Sequence, residues 1–156
     1  MITVYPHQVI PYPIHRVPPK CPYCARRSEL VDSVAVYGRS YGPIWLCAHC
    51  EALVGCHKNS PDFAPLGRLA DAGLRKLKTE VHALLDPYWR ETKGGSQAFR
   101  RKAIYRLLGD ELGIKPCRCH VGDMDDAMCE RVLDLLHSAR WRVLAAGAIT
   151  HTANET

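Results

Sequence analysis

The chain has 156 residues, 47% of them apolar, and a formal net charge of +5. That length can bury one moderate hydrophobic core and excludes two large domains. No run of eighteen uncharged apolar residues occurs, and the opening MITVYPHQVIPYPIHRVPP lacks the charged and apolar blocks of a secretory signal, so a soluble, cytoplasmic protein without a membrane partner is expected.

The first 22 residues hold six of the eleven prolines. Proline fixes φ and removes an amide donor, so residues 1–20 read as an extended arm that drapes over the domain or reaches a partner. Residues 21–58 carry two CxxC pairs, Cys21/Cys24 and Cys47/Cys50. Between them, SELVDSVAVY (28–37) and PIWLC (43–47) read as β-rich runs around the Gly-containing GRSYG, and ALVGC follows as a further strand. NSPDFAP (59–65) is a turn-rich joint. From Asp71 the period becomes helical, with Leu74, Leu77, Val81, Leu84 and Leu85 on one stripe, and Pro87 limits that helix. Ser96 is an N-cap for a second helix with Phe99, Ala103, Leu107, Leu108 and Leu112 inward and Gly113 closing it. A third helix opens at Asp125, with Met128, Val132, Leu135, Leu136 and Ala139 on one stripe. The predicted architecture is α+β: a zinc ribbon, three helices within residues 66–146 docked on it, and a tail over 147–156.

Eight cysteines in 156 residues fall well below the density of small secreted disulfide scaffolds, and paired spacing in an intracellular-looking chain favours metal over cross-links. A CxxC turn lets both sulfurs face one cation, and a second turn completes a tetrahedron. Cys21, Cys24, Cys47 and Cys50 are therefore predicted to hold one structural Zn2+. The four soft donors leave no position for a catalytic water, although iron can occupy the same cage.

The strings CPYCARRSELVDSVAVYGRSYGPIWLCAHCEALVGCHK, PLGRLADAGLRKLKTEVHALLDPYW and CHVGDMDDAMCERVL, in that order, resemble the zinc-finger-containing domain of unknown function found in phage and bacterial proteins. The resemblance spans approximately residues 20–135 and implies a small cytoplasmic zinc-ribbon protein without an assigned reaction. The doubled CxxC is also similar, more loosely, to the zinc ribbons of bacterial type I topoisomerases, which contact single-stranded DNA. The chain has no room for a topoisomerase catalytic domain.

Other residues carry less specific patterns. Cys117, Cys119, His120 and Cys129 offer ligands for a second zinc, against the alternative that these cysteines are small buried hydrophobes. His57, and His82 four residues before Asp86, could serve a metal-dependent nuclease, against a surface ion pair. Residues 68–106 hold ten Lys/Arg against four Asp/Glu, whereas residues 107–156 hold five against eight. The basic middle suits a polyanion, against ordinary solvated helix faces. Its candidates are Arg75, Lys76 and Lys78 on the first helix and Arg100, Arg101, Lys102 and Arg106 on the second, lining one groove if these helices pack antiparallel. Arg39 and Tyr41 at the hairpin tip, and Tyr105, could add base stacking.

The expected function is thus non-catalytic binding of DNA or RNA backbone with low sequence specificity. The alternative is a protein-interaction module or a phage-encoded modulator of a host enzyme, and the metal-dependent nuclease comes third. No small-molecule substrate is expected.

Overall fold

The computed structural model describes residues 1–13, 15–91 and 96–153, and the chain divides into two compact units, Met1–Arg75 and Lys76–Thr156. The first unit is built on an antiparallel sheet of β1 (Glu29–Asp32), β2 (Pro43–Cys47) and β3 (Ala52–Gly55), in that spatial order. Trp45 sits opposite Leu30 on one side and Val54 on the other, while Leu46 pairs with Leu53 across β2 and β3. Successive strand residues point to opposite faces, and here both faces are apolar. Leu30, Trp45, Val54 and Leu69 pack on one; Val31, Ile44, Leu46 and Leu53 pack on the other. A three-stranded sheet with two apolar faces needs cover on both sides.

The proline-rich arm supplies much of that cover. Ile10 and Tyr12 lie against the Trp45 face, the Tyr12 ring meeting Trp45 edge-on at 5.0 Å, and Ile2 and Val4 lie against the other. Val9 bridges Val31, and the Ile10 amide donates to the Leu30 carbonyl at 2.8 Å. The arm therefore shields the β1 edge without becoming a full strand, as its lack of amide donors dictates. At the opposite edge, Leu53 and Ala70 exchange two backbone hydrogen bonds of 2.9 Å. Arg16 fixes the arm to the 59–65 joint through an ion pair with Asp62 and a hydrogen bond to its carbonyl.

The expectation of a continuous β-rich run over 28–37 fails after Asp32. Residues Val34–Tyr37 form a single helical turn, α1, ended by Gly38 at φ 67°. The Asp32 carboxylate accepts from the Val34 amide at 2.9 Å and from the Ser40 hydroxyl at 2.8 Å, an Asx-type turn that competes with strand extension.

The boundary between the units falls within α2 (Ala72–Leu85), whose first turn is capped by Asp71 through the Leu74 amide at 2.9 Å. Leu74, Val81 and Leu85 are its buried residues, as the stripe implies. Pro87 ends α2 and then serves as the first residue of a short helix, α3 (Pro87–Arg90). α4 (Gln97–Leu112) has Ser96 as N-cap and Gly113 as its left-handed terminator. Its buried face differs from the expected one: Arg100, Ile104, Tyr105, Leu108 and Leu112 are covered, and Phe99 is 45% exposed. α4 carries apolar residues around most of its girth, so the sequence permits two stripes. Packing against α3 and α6 selects the one that includes Arg100.

α5 (Asp126–His137) is capped by Asp125 as expected, but buries Cys129 and Leu133 with Val132 and Leu136, while Ala139 lies exposed beyond its end. A helix beyond the three predicted, α6 (Ala139–Ala153), follows at once. Ser138 makes the junction: its hydroxyl donates to the Leu135 carbonyl at 2.6 Å and accepts from the Trp141 amide at 3.1 Å. The Arg140 guanidinium meets both Glu111 oxygens at 2.8 and 2.9 Å, tying α6 to α4 and holding the Glu111 carboxyl below the usual carboxylate range. Among the described residues, no helix is long and apolar enough to cross a membrane.

Trp141 is completely buried, edge-on to Tyr88 at 5.8 Å, and its indole N–H has no partner among the described residues. Trp141→Ala is expected to cost about 3–5 kcal/mol. Trp141→Phe, which also removes the orphaned donor, should cost less than half as much. Urea midpoints of the two variants check the ordering.

Candidate metal centre and basic surface

The two CxxC turns meet because of the sheet register. Glu29 lies opposite Leu46, so the start of β1 and the end of β2 share one end of the sheet. The first turn leads into β1, with Lys20 bridging Arg27, and the second is the β2–β3 connection, with Cys47 opposite Ala52. The four Sγ atoms of Cys21, Cys24, Cys47 and Cys50 lie within 4.8 Å of one another. Cys24 and Cys47 are 3.6 Å apart at sulfur, far beyond a disulfide bond, and all four are free thiols. A tetrahedral ion with sulfur ligands at about 2.3 Å sets its sulfurs about 3.8 Å apart, so the donor set fits one such ion.

Each turn is closed by the same backbone device. The residue after the second cysteine, Ala25 in one and Glu51 in the other, adopts a left-handed conformation, φ 59° and 56°. In the first turn the Ala25 amide donates to the Cys21 carbonyl and the Cys21 amide to the Arg26 carbonyl, both at 2.8 Å. A side chain in this conformation is strained by about 1–2 kcal/mol, which the surrounding ligation must offset.

Crowded thiols cannot all ionise together. The Cys24 thiol is lowered to about 7, chiefly through hydrogen bonding at the Arg26 backbone, with further help from its three sulfur neighbours. Cys50, placed against Cys24, is pushed up to about 12, and burial raises Cys47. A dication removes this conflict by accepting all four thiolates, and its binding displaces protons.

Residues 17–139 match the model of a family described as a zinc-finger-containing domain. The chain belongs to that family. The matched span takes in both CxxC turns, the whole sheet and helices α1 to α5 of this zinc-finger-containing domain protein. No curated protein and no solved structure matches the chain.

Among the described residues, the ribbon cysteines are the one set of three or more Cys, His, Asp or Glu gathered closely enough to hold a metal. Cys117, Cys119, His120 and Cys129 form no such group. Cys119 and Cys129 are buried while Cys117 and His120 are exposed, and burial pushes the Cys119 thiol up to about 11, the behaviour of a small hydrophobe. The His82 imidazole meets Asp86 at 3.3 Å on the surface of α2, and Arg90 meets the same carboxylate at 3.2 Å. His57 lies exposed in the ribbon unit.

The basic residues separate into two groups. Three are committed to internal contacts. Arg75 donates to the Ala70 carbonyl at 2.8 Å, Lys78 to the Gly122 carbonyl at 2.6 Å, and the buried Arg100, 7% exposed, to the Trp89 carbonyl at 3.1 Å. The antiparallel pairing of the first and second helices is not what organises α4, whose principal neighbours are α3, α6 and the turn Pro116–Arg118. Lys76, Arg101, Lys102 and Arg106 are exposed.

Three of these four, Arg101, Lys102 and Arg106, line a cavity of about 530 Å3 together with Ala98, Tyr105, Pro116, Cys117, Cys119 and His120. Among the described residues no carboxylate lines it. Its far wall is brought in by a close approach: a Cβ on Gly109 would lie 2.9 Å from the Ile114 carbonyl oxygen, so only glycine lets the 114–119 turn lie against α4. Arg101 lies over the Tyr105 ring at 4.6 Å and within 5.6 Å of the Trp89 ring. Arg101 also hydrogen-bonds the Tyr105 hydroxyl, and a guanidinium has five N–H donors, so further donors remain for anionic oxygens. Tyr105 itself is buried beneath Arg101, which removes it as a stacking residue. At the ribbon tip, Tyr41 is 72% exposed with the Arg39 guanidinium 5.6 Å from its ring and Tyr37 edge-on at 5.9 Å.

Two outcomes are expected from the metal centre. Elemental analysis should find one metal ion per chain, and its removal by chelator or acid should abolish the β-sheet signal of the first unit, since such sites contribute on the order of 10 kcal/mol to folding. Acid acts in this direction because protonated thiols do not ligate. Separately, Ala25→Val should speed metal transfer to a competing chelator at least about fivefold, because a β-branched residue resists the left-handed backbone, while Ala25→Gly keeps the parent rate.

Proposed function

We propose that this is a non-catalytic zinc-ribbon protein that binds nucleic acid with low sequence specificity through the exposed face of α4. Zinc is the reading that four thiolates in a closed tetrahedral shell favour, and a filled shell serves structure and leaves no site for an activated water. The observation that carries the nucleic-acid reading is the carboxylate-free cavity with Arg101, Lys102, Arg106 and His120 on its wall. Such a cluster has no counter-charge of its own and suits a chain of phosphates, whose counterions it releases. On the ribbon, Arg39 lies beside the exposed Tyr41 ring, a pairing that by itself also suits a nucleic acid.

A second reading, docking of a protein partner on the ribbon, is favoured by the exposed Val34, Tyr37 and Tyr41 around α1. It leaves the basic cavity of the helical unit without a role, which ranks it lower.

The test is a titration of the zinc-loaded protein with DNA and RNA at two salt concentrations. Charge reversal at Arg101, Lys102 and Arg106 together is expected to weaken binding at least tenfold and to flatten the slope of log K against log salt by about 2 to 3, with zinc content unchanged. Binding equal to that of the parent would remove the reading.

A further inference from the structure

α4 carries a second depression beside the basic cavity, of about 230 Å3, lined by Phe99, Lys102, Ala103 and Arg106. These positions are spaced i, i+3, i+4 and i+7 and so form one stripe along the helix. Lys102 and Arg106 belong to both hollows. Phe99 leaves 45% of its surface in water, and the small Ala103 one turn on does not cover the ring. Neither Lys102 nor Arg106 has an ion-pair partner among the described residues.

We infer that Phe99 is a base-stacking residue and that the nucleic acid held on α4 is single-stranded. This rests on the nucleic-acid reading above. An exposed ring at one end of a stripe that also carries two cations matches a polymer that presents apolar faces and negative charges side by side. Base and ring stack face to face, while Lys102 and Arg106 take the neighbouring phosphates. A duplex hides its base faces in its own stack and offers such a ring nothing but backbone. An apolar protein surface would leave the two cations facing uncharged groups, so charge complementarity selects the nucleic acid.

The experiment measures binding of a fluorescent dodecamer of thymidylate, alone and annealed to its complement, to the zinc-loaded parent, Phe99→Ala, Phe99→Tyr and Lys102→Gln. The parent is expected to favour the single strand at least tenfold. Phe99→Ala should weaken single-strand binding by about tenfold without changing the salt slope, and Phe99→Tyr should bind as the parent does. Lys102→Gln should lower the slope by about 0.7. Because Phe99 lies at the surface, the urea midpoint of Phe99→Ala should stay with the parent, so weakened binding reads the site and not the fold. Equal affinity for both polymers, or parent-like binding by Phe99→Ala, overturns the stacking inference and leaves the nucleic-acid reading standing. Failure of the parent to bind the single strand, the duplex and a matching uridylate dodecamer removes both.

Discussion

Four sulfur atoms gathered at one end of a three-stranded sheet are the constraint from which the first unit follows. Thiols packed this closely compete for charge: hydrogen bonding at the Arg26 backbone lowers Cys24, while its sulfur neighbours raise Cys50. A bound cation turns that competition into cohesion. The pairing of Glu29 with Leu46 and of Cys47 with Ala52 is then more than strand register, because it brings the two CxxC turns to one place. Of the residues with left-handed backbone, Ala25 and Glu51 occupy equivalent positions in the two CxxC turns, as expected if one geometric demand is met twice.

Such a sheet is too small to hold itself. Both faces are apolar, so burial has to come from chain segments without regular structure of their own. The arm contributes Ile2 and Val4 to one face and Ile10 and Tyr12 to the other, and Phe63 closes over Trp45, its carbonyl accepting from the indole N–H at 2.8 Å. Prolines are well suited to such an arm, because they limit what it loses in conformational freedom on ordering and keep it from extending the sheet. The helical unit works differently, through caps at Ser96, Asp125 and Ser138 and buried apolar stripes.

Much of this was legible in the sequence where chemistry is local. The CxxC spacing encodes its own geometry; the caps at Ser96 and Asp125 and the terminator at Gly113 have the side chain or backbone freedom that capping requires. What failed depended on partners. Val34–Tyr37 has strand-forming residues, but the side chain of Asp32 and the freedom of Gly38 outweigh their propensity. On α4 the apolar positions fit two stripes, and only the contacts with α3 and α6 decide that Arg100 goes in and Phe99 stays out. A buried arginine cannot be anticipated without seeing the Trp89 carbonyl that satisfies it. The last helix hid behind an unbroken helical periodicity, its one signal being Ser138, a residue able to finish one helix and begin the next. The cavity depends on Gly109, whose significance emerges once the 114–119 turn lies against it.

The placement of the three indoles has a practical corollary. Trp45 shares its apolar cluster with the four ribbon cysteines and keeps its N–H hydrogen-bonded. Trp89 and Trp141 lie in the other unit, and their N–H groups have no partner among the described residues. Nature has therefore wired a separate optical reporter into each half of the chain. Replacing either set with phenylalanine would leave a molecule whose remaining ultraviolet emission follows the sulfur-bound ribbon or the helical bundle in isolation, without any added dye.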